Sequence, residues 1–131
     1  MEALQKPIIG IVSPCYNEAL VLYETSKQLH EIIEDLVARE IISEKSFAVF
    51  VDDGSKDATW QIIEEQAARL LHIKGLKLAG NVGHQKALLA GLLTFKDEAD
   101  ALISIDADLQ DDVRVIEQMI LKFKSGTDVV Y

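Results

Sequence analysis

Cysteine is almost missing from this sequence of 131 residues: Cys15 stands alone. A single thiol forms no internal disulfide and no multi-cysteine metal site, and it suits a reducing compartment. Positive charge is also scarce. Thirteen Lys and Arg face 22 Asp and Glu, leaving a formal net charge of −9. Nucleic acid and anionic membrane surfaces both require a basic patch, so neither is expected as a partner of this segment. No apolar run approaches the ~20 residues that cross a bilayer, and no signal-peptide pattern opens the sequence. Repeats, low-complexity tracts and linker-like stretches are absent as well. What remains is ordinary for a globular chain, 49% hydrophobic and 27% charged, and long enough for one domain with a core of its own.

Apolar runs and helical periods alternate along the chain. Ile8–Val12 reads as a first strand, buried on both faces, and Ser13-Pro14-Cys15-Tyr16-Asn17-Glu18 breaks it into a stiff loop. A helix follows, with Leu29, Ile32, Ile33, Leu36 and Val37 on one face. Phe47–Val51 is a second strand that runs into Asp52-Asp53-Gly54-Ser55-Lys56-Asp57; Gly54 permits a tight turn, and Asp57 or Thr59 can cap the next helix. That helix carries Trp60, Ile63, Ala67 and Leu70 inward. Leu76–Ala79 reads as a third strand, and Gly80-Asn81-Val82-Gly83-His84 as a loop feeding a helix with Leu88, Gly91, Leu92 and Phe95 inward. A fourth apolar run, Ala101–Ile105, reads as a central strand, followed by a helix with Ile116, Met119, Ile120 and Phe123 inward and by a fifth strand opening at Asp128.

Such alternation predicts an α/β fold: a mostly parallel, Rossmann-like sheet with helices on both faces. Ligands of open α/β sheets bind beyond the carboxyl ends of the strands. Three polar clusters fall there, around Pro14-Tyr16-Glu18, Asp52-Asp53 and Asp106-Asp108. If the fourth strand persists to Asp108, the Asp106 and Asp108 side chains leave one face about 7 Å apart. Two such carboxylates repel unless a cation lies between them, and Mg2+ or Mn2+ prefers oxygen ligands of this kind. Gln110 continues the series and offers a third oxygen. The plainer alternative is a solvated loop with an Asp cap for the next helix. His84 reads as a loop histidine, and Cys15 as a small filler rather than a nucleophile. No Gly-x-Gly-x-x-Gly, P-loop or serine elbow occurs. Carboxylates, an aromatic and a cation together suit a nucleoside diphosphate carrying a group to be transferred.

The ordered set Pro14-x-Tyr16-Asn17-Glu18, Asp52-Asp53-Gly54-Ser55-x-Asp57-x-Thr59, Asn81-x-Gly83 and Asp106-Ala107-Asp108-Leu109-Gln110 resembles inverting family 2 glycosyltransferases of the GT-A fold. Asn-Val-Gly-His-Gln-Lys-Ala followed by Asp-Ala-Asp-Leu-Gln is most similar to the bacterial dolichol-phosphate-mannose-synthase-like branch. The resemblance implies transfer of a sugar from a nucleotide-diphosphate sugar to a polyprenyl phosphate or glycan acceptor, using Mg2+ or Mn2+. It places Pro14, Tyr16 and Glu18 around base and ribose, and Asp53 as acceptor of a base hydrogen bond with Asp52 supporting the turn. Asp106 and Asp108 become the DxD metal site with Gln110 as a third ligand; Asp106 also reaches the ribose. Asn81 and Gly83 shape their loop, and Lys86 lies near the diphosphate.

Family members continue well past the fifth strand. Residues 1–131 are therefore expected to be one domain, the N-terminal donor-binding part of a longer protein, inactive alone and without a catalytic base. A cytoplasmic location is expected, with the full-length protein at the inner face of the cell membrane through its C-terminal part. Rival readings are a receiver-like Mg2+-binding signalling module, whose paired acids follow the first strand, a metal-dependent phosphohydrolase, and a catalytically silent association domain.

Overall fold

A computed structural model of the chain describes residues 6–108 and 114–126. In chain order the elements are β1 (Ile9–Cys15), α1 (Ala19–Ala38), β2 (Phe47–Asp52), α2 (Thr59–Arg69), β3 (Ile73–Lys77), α3 (His84–Phe95), β4 (Ala101–Ser104) and α4 (Arg114–Lys124). The strands form one parallel sheet in the order β3-β2-β1-β4. The expected fifth strand at Asp128 lies outside the described residues.

Side-chain alternation splits the core into two layers. Ile9, Ile11, Ala48, Phe50, Ile73 and Ile103 face α1, α2 and α4, where Leu29, Ile33, Leu36, Ile63, Ile116 and Ile120 meet them. Val12, Phe47, Val49 and Val51 face α3 through Ala87 and Phe95. Each fully buried side chain of this size contributes about 1.5–3 kcal/mol, so the apolar sheet interior is the main source of stability. Gly91 lets α3 lie close on the sheet: a Cβ there would meet Val12 Cγ1 at 2.6 Å and Val51 Cγ2 at 2.7 Å. Arg39, just past α1, grips Glu117 of α4 with two hydrogen bonds of 2.8 and 3.1 Å.

Three strand boundaries differ from expectation. β1 does not break at Ser13; it runs through Pro14 to Cys15. Val12 turns its carbonyl to Ile105 on the β4 side, and Cys15 turns its own to Asp53 on the β2 side. Pro14 shares the orientation of Val12, and β4 has ended at Ser104, so the missing proline N–H leaves no ladder bond unmade. β3 begins at Ile73, not Leu76, because Ile73 is already anchored in the core at 3% exposure. Gly75 then passes under α2, where a Cβ would stand 2.5 Å from Ile63 Cγ2. β4 stops at Ser104 and, among the described residues, is an edge strand rather than the central one; only Ile103 of its four residues is buried.

The topology fixes the place of a site. β1 to β2 and β2 to β3 step in one direction across the sheet. The next connection, through α3 on the other face, returns past both strands to β4. The strand order therefore reverses between β1 and β4, the position where parallel sheets open a crevice at their carboxyl ends.

Candidate functional site

At that crevice lies a cleft of about 360 Å³. Pro14, Cys15, Tyr16 and Glu18 come to it from the end of β1, Asp53 from β2, Asn81, Gly83 and His84 from the start of α3, and Asp106, Ala107 and Asp108 from the end of β4.

The loops that carry these residues are tied to one another. After β1, Asn17 takes a left-handed conformation (φ 53°), which asparagine tolerates better than most residues. Its N–H donates to Ser55 Oγ and its Oδ1 accepts from Lys56 N–H, each at 2.9 Å. The Glu18 N–H donates to Thr59 Oγ1 at 2.9 Å and the Ala19 N–H to Asp57 Oδ2 at 3.3 Å. The first N–H groups of a helix have no partner within it; at the start of α1, those of Glu18 and Ala19 are met by Thr59 and Asp57. Asp57 also accepts from the Thr59 N–H and hydroxyl. Partial burial works against its charge, but the bonds from Thr59 and Ala19 outweigh that and hold the carboxyl below its usual range.

Asp52 points into this scaffold, only 1% exposed, with Oδ1 accepting from Ser55 N–H at 3.2 Å. Asp52 and Ser55 thus do turn chemistry, and Asp57 and Thr59 meet N–H groups at the start of α1; the N-cap position of α2 is Ala58, not Asp57 or Thr59 as expected. On the far side, the loop after β4 is tied by Ile105 N–H to the Val12 carbonyl at 3.1 Å, and by Thr25 Oγ1 of α1 to the Ala107 carbonyl at 2.6 Å.

Of the residues singled out in the sequence, Pro14, Tyr16, Glu18, Asp53, Asp106 and Asp108 meet at one cleft; Gln110 lies outside the described residues. The route to the Asp106–Asp108 pair differs from expectation. β4 has ended, so the two acids stand on an irregular segment and a turn rather than on one strand face. Both remain exposed at the rim.

His84 was passed over as a loop histidine, whereas Asn81 was expected to shape its loop. His84 lines the cleft, with Nε2 3.8 Å from Asp106 Oδ1. Asn81 donates from Nδ2 to the Asp53 carbonyl at 3.1 Å. The Gly-Asn-x-Gly-His string was the available signal, since glycine-bracketed segments at helix starts bring backbone close to ligands. Cys15 is buried, and that burial, with repulsion from Glu18 and Asp52, pushes its thiol far above the usual range; it serves as filler, not nucleophile.

The electrostatics are one-sided. Four carboxylates line the cleft, and no Lys or Arg does among the described residues. Glu18 registers this: desolvation first, then the charges of Asp108, Asp57 and Asp106, raise its carboxyl above the ordinary value. No three ligating side chains among the described residues converge on a point that would hold a metal ion unaided. The donor set still fits Mg2+ or Mn2+, because sites of this class use one or two carboxylates and take the remaining oxygens from substrate phosphates and water.

The sequence model for "Glycosyl transferase family 2" matches residues 10–131. The chain belongs to this family. Among curated members it is 53% identical over 126 residues to the uncharacterized glycosyltransferase YkoT of Bacillus subtilis, covering 96% of this chain and 37% of that protein. It is 38% identical over 122 residues to the bactoprenol glucosyl transferase of Shigella phage SfX, covering 93% and 37% respectively. The chain thus spans a little over a third of the curated relatives it matches. Among solved structures, it superposes on mannosyltransferase PcManGT from Pyrobaculum calidifontis in complex with GDP-Man and Mn2+ with a TM-score of 0.63 and 22% identity, over 79% of this chain and 28% of that one. S. aureus TarS 1-349 in complex with UDP gives a TM-score of 0.58 and 23% identity, over 86% and 32%. These likenesses show the GT-A fold. Family membership sets aside the signalling and phosphohydrolase readings. No helix among the described residues of this family 2 chain is long and apolar enough to cross a membrane.

Proposed function

We propose that this domain binds the donor in an enzyme that transfers a sugar, with inversion, from a nucleoside-diphosphate sugar to a polyprenyl phosphate. The observation that carries the proposal is the cleft at the strand-order reversal, walled by four carboxylates without a Lys or Arg among its described lining. Such a cleft takes an anionic diphosphate only together with a cation. The bactoprenol transferases among the relatives support a lipid phosphate acceptor, and the GDP-Man, UDP and Mn2+ named with the structural neighbours support the donor and metal classes.

In this reading Tyr16, 41% exposed, offers its ring to the base, while Pro14 and Glu18 shape the base and ribose pocket. Asp53 stands at the base edge. Asp106 and Asp108 hold Mg2+ or Mn2+, with Gln110 as a further oxygen and Asp106 also near the ribose. When bound, the ion neutralises charge on the departing diphosphate. An acceptor phosphate oxygen bonds to the sugar C1 as the C1–O bond to the diphosphate breaks, so the acceptor needs no base from this chain. Acceptor binding and membrane contact at the cytoplasmic face belong to parts of the protein outside this chain, and the isolated domain turns over poorly or not at all.

The test is transfer by the full-length protein. Labelled UDP-glucose and GDP-mannose are supplied with Mn2+ and undecaprenyl phosphate, and the lipid product is analysed for anomeric configuration. A β-linked lipid-phosphate sugar from an α-linked donor is expected. Donor hydrolysis without a lipid product, or retention of configuration, would contradict the reading.

A further inference from the structure

Asp53 is only 2% exposed although it forms part of the cleft wall. Its Oδ1 accepts from the Val82 N–H at 2.7 Å, and its Oδ2 from the Gly83 N–H at 3.1 Å. The Asn81 side chain binds the Asp53 carbonyl at 3.1 Å, and the Asp53 N–H is spent on the Cys15 carbonyl at 2.9 Å. Two successive backbone N–H groups aimed at one carboxylate make an anion-binding concavity, here filled from within the protein. The backbone is shaped for it. Gly83 has φ 99°, and Gly54 allows a close approach in which a Cβ would lie 2.6 Å from Asn81 N. His84 follows directly, opens α3, and faces Asp106 across the cleft at 3.8 Å.

We infer that Asp53 is a positioning residue: its carboxylate latches the Asn81–Gly83 loop and so sets where His84 and the start of α3 stand opposite Asp106. A base N–H that reaches Asp53 shares oxygens already engaged by the loop. The base end of the cleft and its diphosphate end are thereby coupled through one side chain. This deepens the donor-binding reading above and rests on it for the ligand; the latch itself is a property of the free protein.

The test pairs two measurements on Asp53→Asn. The substituted amide retains one acceptor oxygen and turns its NH2 toward one of the two loop N–H groups, so one bond is lost. Amide exchange in the ligand-free protein is expected to accelerate about tenfold or more across residues 81–84, the size of one charge-assisted hydrogen bond, while β1 and β2 amides stay protected. Global loosening would speed those strands as well. Mn2+-dependent affinities for UDP, GDP and inorganic pyrophosphate are expected to fall by a similar factor, because the diphosphate end is disturbed whatever base is present. Unchanged exchange at 81–84, with pyrophosphate affinity retained and the UDP to GDP preference altered, would overturn the latch and leave Asp53 as a base reader. Should Asp53→Asn fail to fold, the wild type decides: Val82 and Gly83 amides, whose N–H groups donate to the Asp53 carboxylate, are expected to exchange about tenfold or more slowly than unbonded loop amides, and exchange at the unbonded rate refutes the latch. If wild type binds none of the three ligands, the donor-binding reading fails, while the exchange data still decide the latch.

Discussion

Thr25 and Ala107, 82 residues apart in sequence, meet at 2.6 Å, the threonine hydroxyl of α1 donating to the carbonyl between the two rim acids. The bond is buried, and it ties the first helix to the turn that presents Asp106 and Asp108. Thr25→Val keeps the shape and leaves a buried carbonyl unpaired, a loss of about 1–3 kcal/mol. The urea midpoint should fall accordingly. Mn2+-dependent nucleotide affinity should weaken further, since the turn loses its tether; unchanged affinity would mean the turn is held by other contacts.

Gly91 marks how closely α3 lies on β1 and β2. A methyl group added there stands 2.6–2.7 Å from methyls of Val12 and Val51, and β-branched side chains have little rotamer freedom to give way. Overpacking costs about 1–3 kcal/mol, offset by roughly 1 kcal/mol of helix propensity. Gly91→Ala is therefore expected to destabilise in denaturant titration. A stabilised variant would show that the helix can lift off the sheet freely.

Asp57 predicts a pH dependence. Burial opposes its charge, but hydrogen bonds from Thr59 and Ala19 lower its folded value. A carboxyl with a depressed folded pKa contributes stability that is present above its unfolded value, about 3.9, and lost as pH falls through the folded one. Wild type and Asp57→Asn should therefore differ in urea midpoint near neutral pH and converge below about pH 4. A gap that persists in acid would place the effect in shape rather than charge.

Most of the fold was legible because apolar runs and helical periods are unambiguous in this chain. Phe47–Val51 and the stripe Leu29, Ile33, Leu36 sit where the spacing put them. Pro14 misled because a missing N–H ends a strand only where a neighbour needs it, and no single strand shows its neighbours. Ile73 was overlooked because Lys74 and Gly75 interrupt the apolar run, although an edge strand needs burial on fewer positions. The site acids were legible as acids at strand ends. What Asp53, Asp57, Thr59 and Asn17 do was not, because each bonds to a different loop, across separations of 29 to 41 residues for the bonds to Ser55, Thr59 and Val82. His84 looked idle for the same reason: Asp106 arrives from another strand.

The central claim is that Asp106 and Asp108, beyond β4, hold a nucleoside diphosphate through a cation. Calorimetric titration of UDP and GDP into the protein, with Mn2+ and with EDTA, tests it most directly when repeated on Asp108→Ala. Binding of at least one nucleotide that requires Mn2+ and is lost in the variant is the expected result. Nucleotide binding that is indifferent both to EDTA and to Asp108→Ala would contradict it.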